Sequence, residues 1–106
     1  MKVLIVGGGG REHAIALSVS KSKRVDKIYV APGNAGIAQI AECEPIPVME
    51  FDKMVAFAKE KQVDFVIVGP DDPLVGGIVD EFKKAGIKTF GPEAKAAILE
   101  GSKAFS

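Results

Sequence analysis

Lys2-Val3-Leu4-Ile5-Val6-Gly7-Gly8-Gly9-Gly10-Arg11-Glu12-His13 decides the fold of this chain. An apolar, β-branched run meets four consecutive glycines and then a charged helix start. That order reads as a buried strand, a tight loop and a helix N-terminus. Glycines let the backbone approach a ligand closely because no Cβ intrudes. The free N–H groups of the helix start, with its dipole, favour an anion there, usually a phosphate.

A dinucleotide is the usual expectation for such a loop, and the spacing argues against it. The pattern G-x-G-x-x-G started at Gly7 would place its third glycine at Glu12, and started at Gly8, at His13. The ribose-binding carboxylate expected about 20 residues later is also missing. The second strand ends Tyr29-Val30-Ala31-Pro32-Gly33. No Gly-Lys-Ser/Thr follows the loop, so the Walker pattern fails too. The loop keeps anion-binding geometry without either common nucleotide signature. The alternative is a strand-to-helix turn that only packs tightly.

Length and composition bound the rest. At 106 residues the chain supports one domain, one that buries roughly 65% of its unfolded surface. Hydrophobic residues make up 47%, and 14 Lys and Arg balance 14 Asp and Glu. Balanced charge points away from nucleic acid and from a membrane-surface patch. The single Cys43 cannot form an internal disulfide, which fits a reducing compartment. No signal-peptide pattern and no apolar run near 18 residues occurs, so a cytoplasmic, non-membrane protein is expected.

Strand and helix alternate along the chain. Strands are expected at Val3–Val6, Lys27–Ala31, Ile46–Val48, Phe65–Val68 and Lys88–Phe90. The third is demoted towards an edge by Pro45 and Pro47. Phe65–Val68, apolar throughout, suits a central parallel strand. Helices are expected over residues 11–21, from an Asp52 cap to about Lys61, from an Asp72 cap with Pro73 at its first position to Gly86, and from Gly91-Pro92 to about Glu100. Residues 32–44 read as a loop with one short helical turn. Right-handed crossovers then give an α/β, Rossmann-like, doubly wound parallel sheet in the order 3-2-1-4-5. Ligands bind at the carboxyl ends of strands where connections diverge, here between strands one and four.

Three loops converge at that edge: Gly7–His13, Ala31–Gly36 and Gly69–Asp72. Asn34, between Gly33 and Gly36, reads either as ordinary Pro-Gly-Asn turn chemistry or as a partner for a sugar or phosphate. Asp72 reads as a helix cap. Asp71, after Pro70, is the better ligand candidate, because one carboxylate accepts from two sugar hydroxyls. Arg11 reads as a solvated first-turn residue or as a cation supplementing the amides around a phosphate. His13 reads as local packing. One His and one Cys argue against a metal site, and no nucleophile–base pair suggests covalent catalysis.

Gly8-Gly9-Gly10-Arg11-Glu12-His13-Ala14, Ala31-Pro32-Gly33-Asn34-Ala35-Gly36, Val68-Gly69-Pro70-Asp71-Asp72-Pro73-Leu74, Phe90-Gly91-Pro92 and Leu99-Glu100-Gly101-Ser102-Lys103-Ala104-Phe105 together resemble the glycinamide ribonucleotide synthetase (phosphoribosylamine–glycine ligase) family. The match runs the length of the chain, in order. The family joins glycine to 5-phosphoribosylamine with ATP and Mg²⁺ in purine biosynthesis and belongs to the ATP-grasp superfamily. What matches is its N-terminal, Rossmann-like pre-ATP-grasp domain, over residues 1–101, with 102–106 as the start of the ATP-grasp region.

The resemblance implies phosphoribosylamine or glycinamide ribonucleotide as ligand. It places Gly8, Gly9, Gly10, Arg11 and Glu12 at the phosphoribosyl group, Gly33, Asn34 and Gly36 along the same cleft, and Pro70 and Asp71 at the ribose hydroxyls. Asp71 stands where the family usually has Glu, one methylene longer, so the sugar contact shifts or passes through water. Lys103 resembles a lysine that approaches ATP in the full-length enzyme. No catalytic residue and no cofactor is assigned to this chain itself; ATP and Mg²⁺ are implied for the complete enzyme. The chain stops at Ser106, inside the last motif, so a fragment lacking the ATP-grasp domains is expected, inactive alone and prone to self-association through an uncovered interface. The alternatives are a nucleotide-binding Rossmann module and a non-catalytic scaffold.

Overall fold

A computed structural model of the chain describes residues 1–47, 49–69 and 77–90. The elements are β1 (Lys2–Gly7), α1 (Gly10–Ser20), β2 (Lys27–Pro32), a 3₁₀ turn (Ile37–Gln39), β3 (Glu42–Cys43), α2 (Phe51–Glu60), β4 (Phe65–Val68), α3 (Ile78–Lys84) and β5 (Lys88–Phe90). All pairings are parallel, and the sheet order is β3-β2-β1-β4-β5. The expected topology holds. β1 lies at the centre, with Val3 opposite Ile28 on one side and Phe65 on the other.

Side chains alternate across a strand, so β1 feeds two layers. Leu4 and Val6 join Tyr29, Met54, Phe57, Val66, Val68, Ile78 and Phe82 beneath α2 and α3. Val3 and Ile5 join Ile15, Ala16, Val19, Val30, Ile37 and Ile67 beneath α1 and the 3₁₀ turn. Val3 to Val6 are all 0% exposed, the burial that an uninterrupted apolar run implies. Tyr29 meets Phe57 edge to face, ring centres 5.3 Å apart.

Three local expectations are corrected. The third strand is Glu42–Cys43, inside the stretch expected to be a loop, and residues 46 and 47 are not strand. Tyr29 pairs with Glu42 and Val30 with Cys43, and Glu44 N donates to Val30 O at 2.9 Å. Pro45 has no N–H to continue the ladder. Ile46 N instead donates back to Glu44 O at 2.7 Å, and its side chain turns into the core. Val48 lies outside the described residues.

The second correction concerns Asp52, which is not the cap of α2. Glu50 occupies that position without a side-chain bond, and its N–H closes a turn onto Pro47 O at 3.0 Å. Asp52 falls in the first turn, where its charge still complements the dipole. Third, the helix expected to span residue 77 is not helical there: Gly77 has a left-handed φ of 96°, and α3 starts at Ile78. It ends as expected before Gly86 (φ 79°), with Ile87 N reaching Phe82 O at 2.9 Å. The Asp72 cap, the 92–100 helix and the 101/102 boundary lie outside the described residues.

Candidate functional site

The carboxyl ends of β1, β2 and β4 stand side by side because β1 is hydrogen-bonded to both neighbours. Gly7–Gly10, Pro32–Gly36 and Gly69 therefore share one edge. They also hold one another. Gly33 N donates to Gly7 O at 3.0 Å, and Gly69 N to Val6 O at 3.1 Å. Asn34 Nδ2 donates to Gly8 O at 2.8 Å, while its Oδ1 accepts from Ile37 N at 2.9 Å. Asn34 is thus a brace between two loops. One Nδ2 hydrogen and one Oδ1 lone pair remain to it.

The four loop glycines serve different ends. A Cβ on Gly8 would sit 2.6 Å from Gly33 O, so this glycine lets two loops touch. Gly7 has φ +133°, and a Cβ there would strike Glu12 Cδ at 2.6 Å. Gly10, by contrast, has nothing within 4 Å of where a Cβ would stand, and Gly9 and Gly10 are both exposed. Gly10 therefore faces open space, Gly9 is exposed with Glu12 Oε1 3.4 Å from where its Cβ would stand, and Gly7 and Gly8 are packed.

α1 begins directly at that open side, with Gly9 as its N-cap. Gly9 N donates to Glu12 Oε1 at 2.9 Å, and His13 N to Gly9 O at 3.0 Å. The amides of Gly10, Arg11 and Glu12 have no acceptor among the described residues. Helix geometry leaves such first-turn amides for a cap, water or a ligand. The Arg11 side chain is exposed and spans to β4, with Nη1 donating to Gly69 O at 3.1 Å. Among the described residues no other acceptor meets its guanidinium hydrogens. His13 packs its ring on Gly36, where a Cβ would lie 3.1 Å from Cε1; this is the local packing expected of it.

Gly8, Gly9, Gly10, Arg11, Glu12, Gly33, Asn34 and Gly36 are all brought to this edge. Glu12 is buried beneath the loop rather than beside its open face, at 6% exposure. Pro70, Asp71 and Lys103 lie outside the described residues. Two residues escaped the reading of the sequence. Cys43 lies under the Asn34 loop: its Sγ reaches Asn34 O at 3.6 Å, and a Cβ on Gly33 would come within 2.9 Å of its own Cβ. Gly69 gives way to Glu12, whose Cδ would be 2.7 Å from an added Cβ. A glycine directly after a wholly apolar strand was the available signal for the second.

Two hollows lie elsewhere: one of about 570 Å³ is lined by Asp26, Lys27 and Glu42, another of about 600 Å³ by Lys83 and Lys88 beside β5. Among the described residues no group of three His, Cys, Asp or Glu stands close enough to hold a metal ion, and no helix is long and apolar enough to cross a membrane.

Residues 1–100 match the family described as "Phosphoribosylglycinamide synthetase, N domain". Curated relatives called phosphoribosylamine–glycine ligase align along the whole chain. The protein of Caldanaerobacter subterraneus subsp. tengcongensis is 61% identical and that of Agrobacterium fabrum 52%, each over 106 residues, which is 25% of the relative. That of Clostridium acetobutylicum is 48% identical, over 26% of its length. The chain spans about a quarter of the curated relatives it matches.

Proposed function

The chain belongs to the phosphoribosylglycinamide synthetase N-domain family, and from that premise we propose that it forms the phosphoribosylamine-binding wall of a ligase that joins glycine to this substrate with ATP. The observation that carries the reading is the open start of α1: exposed Gly9 and Gly10, first-turn amides without acceptors among the described residues, and a guanidinium beside them. Backbone N–H groups, helix dipole and Arg11 together suit a phosphate monoester. Asn34 keeps one donor for a sugar oxygen, and Asp71, which follows Gly69 by two positions, is proposed for the ribose hydroxyls. Gly33 and Gly36 are proposed along the same cleft, and Pro70, with Asp71, at the ribose hydroxyls.

ATP and Mg²⁺ belong to the rest of such a ligase. The described residues offer no cluster of carboxylates for the ion, and no step is assigned to them through it. Lys103 is proposed to approach ATP only in the complete enzyme. Alone, the chain is expected to be cytoplasmic, catalytically silent and prone to self-association, which light scattering at high concentration tests; a strict monomer would count against the last point.

Heteronuclear NMR with glycinamide ribonucleotide tests the site. Shifts centred on Gly8–Arg11 and Asp71 are expected, and their absence at high millimolar ligand would remove the assignment. Arg11→Ala should weaken binding by about tenfold or more, the worth of a hydrogen bond to a charged group. Saturable NAD binding at the same edge would instead favour a dinucleotide module.

A further inference from the structure

We propose that Glu12 is a positioning residue, a buried strut that fixes the anion loop against the carboxyl end of β4, and not a substrate contact. The proposal rests on the reading of this edge as the phosphoribosyl site. Glu12 is the one charged side chain among the described residues that is buried, at 6% exposure. Its Oε1 takes the Gly9 amide at 2.9 Å, half of a capping box whose other member is a glycine. Its stem and carboxyl group fill the space above both neighbouring strand ends. A Cβ on Gly7 would lie 2.5 Å from Glu12 Cγ, and one on Gly69 would lie 2.8 Å from it and overlap Oε2.

Arg11, the adjacent residue, binds Gly69 O from the exposed side. Consecutive side chains of α1 thus meet the residue that follows β4, Arg11 by a hydrogen bond and Glu12 by packing. Gly69 directly follows β4, so the strut sets the spacing between the phosphate amides and the carboxyl end of that strand. With the Gly9 amide committed to Glu12, the anion seat is left to Gly10, Arg11 and Glu12. A carboxylate in the first turn of a helix is favoured by the dipole, which offsets its burial.

Steady-state kinetics of the complete ligase test this with Glu12→Gln, Glu12→Ala, Gly69→Ala and the double variant Glu12→Ala/Gly69→Ala. Gln keeps the shape and an acceptor for Gly9, so KM for phosphoribosylamine should stay within about threefold. Glu12→Ala should raise that KM by about tenfold or more while KM for ATP and for glycine stay unchanged. Gly69→Ala should raise it as well, by displacing the carboxylate. The double variant should lose less than the product of the single losses, because the overlap is gone. If Glu12→Ala does not fold, Glu12→Asp, a strut one methylene too short, is read in its place and should show the same KM-selective loss. A loss in Glu12→Gln as large as in Glu12→Ala would mean that the charge contacts substrate, and would overturn the proposal. So would a normal KM in Glu12→Ala or Glu12→Asp beside a raised one in Arg11→Ala. Normal KM in both Arg11→Ala and Gly10→Val would instead remove the site reading beneath it.

Discussion

At the scale of single residues, a Cβ separates glycines that build the loop from glycines that open it. On Gly8 it meets the carbonyl of Gly33 at 2.6 Å, a backbone atom that cannot step aside. Gly8→Ala should therefore cost about 1–3 kcal/mol, as overpacking does, read as a lower midpoint in urea. On Gly10 the Cβ meets nothing within 4 Å. Gly10→Ala should leave stability within about 1 kcal/mol, or raise it, since Ala is the better helix former. Gly10→Val should fold equally and yet lose affinity for glycinamide ribonucleotide, measured by titration. A scaffold without a ligand would show no such separation. The sequence made the run legible as a loop before a helix. It could not rank the glycines, because what crowds Gly8 belongs to the loop after β2. Nor could it bury Glu12: a capping box is normally read from Ser or Thr, and here its first member has no side chain.

At the scale of elements, periodicity was enough for the long pieces and failed where a neighbour decided. β1, β4 and α1 follow from unbroken apolar runs and helical spacing. β3 has only two residues and no hydrophobic pattern of its own; Glu42 and Cys43 are strand because Tyr29 and Val30 offer partners. α3 depends on its apolar face, and Phe82, fully buried in the layer with Ile78 and Met54, anchors it. Phe82→Ala should cost about 3–5 kcal/mol, checked by urea unfolding. A weaker tie joins the chain start to the segment before β2. The Met1 ammonium donates to Asp26 Oδ2 at 2.6 Å, and this bond and its charge hold the Asp26 carboxyl below its ordinary value of 3.8. A lowered folded value means the tie contributes above the unfolded pKa and is lost as pH falls through the folded one. Asp26→Asn should therefore lower the melting temperature slightly at neutral pH and low salt, with the difference from the parent closing in acid. The pair is exposed, so salt should shrink it too.

At the scale of the whole molecule, the crossover rule carried most of the fold. Parallel strands joined by right-handed connections leave few orders, and the observed β3-β2-β1-β4-β5 is the doubly wound one. The layers on its two faces share β1, so they should melt together. Tyr29 is the only tyrosine, no tryptophan is present, and it sits in the α2 layer. Ile5 faces the other layer. Ile5→Ala should lower the Tyr29 fluorescence midpoint and the far-ultraviolet circular dichroism midpoint by the same amount. Separate midpoints would show two units instead of one.

The bonds that lace Gly7 to Gly33, Gly8 to Asn34 and Arg11 to Gly69 are all internal to the chain. These contacts at the proposed site are thus set when the protein folds, and a ligand would meet segments already braced against one another. Little ordering entropy is then left to oppose capture. Backbone positions over Gly7–Gly10 and Pro32–Gly36 should hardly differ between free and occupied protein, and association should run at the pace of encounter, with discrimination between ligands expressed in how slowly they leave.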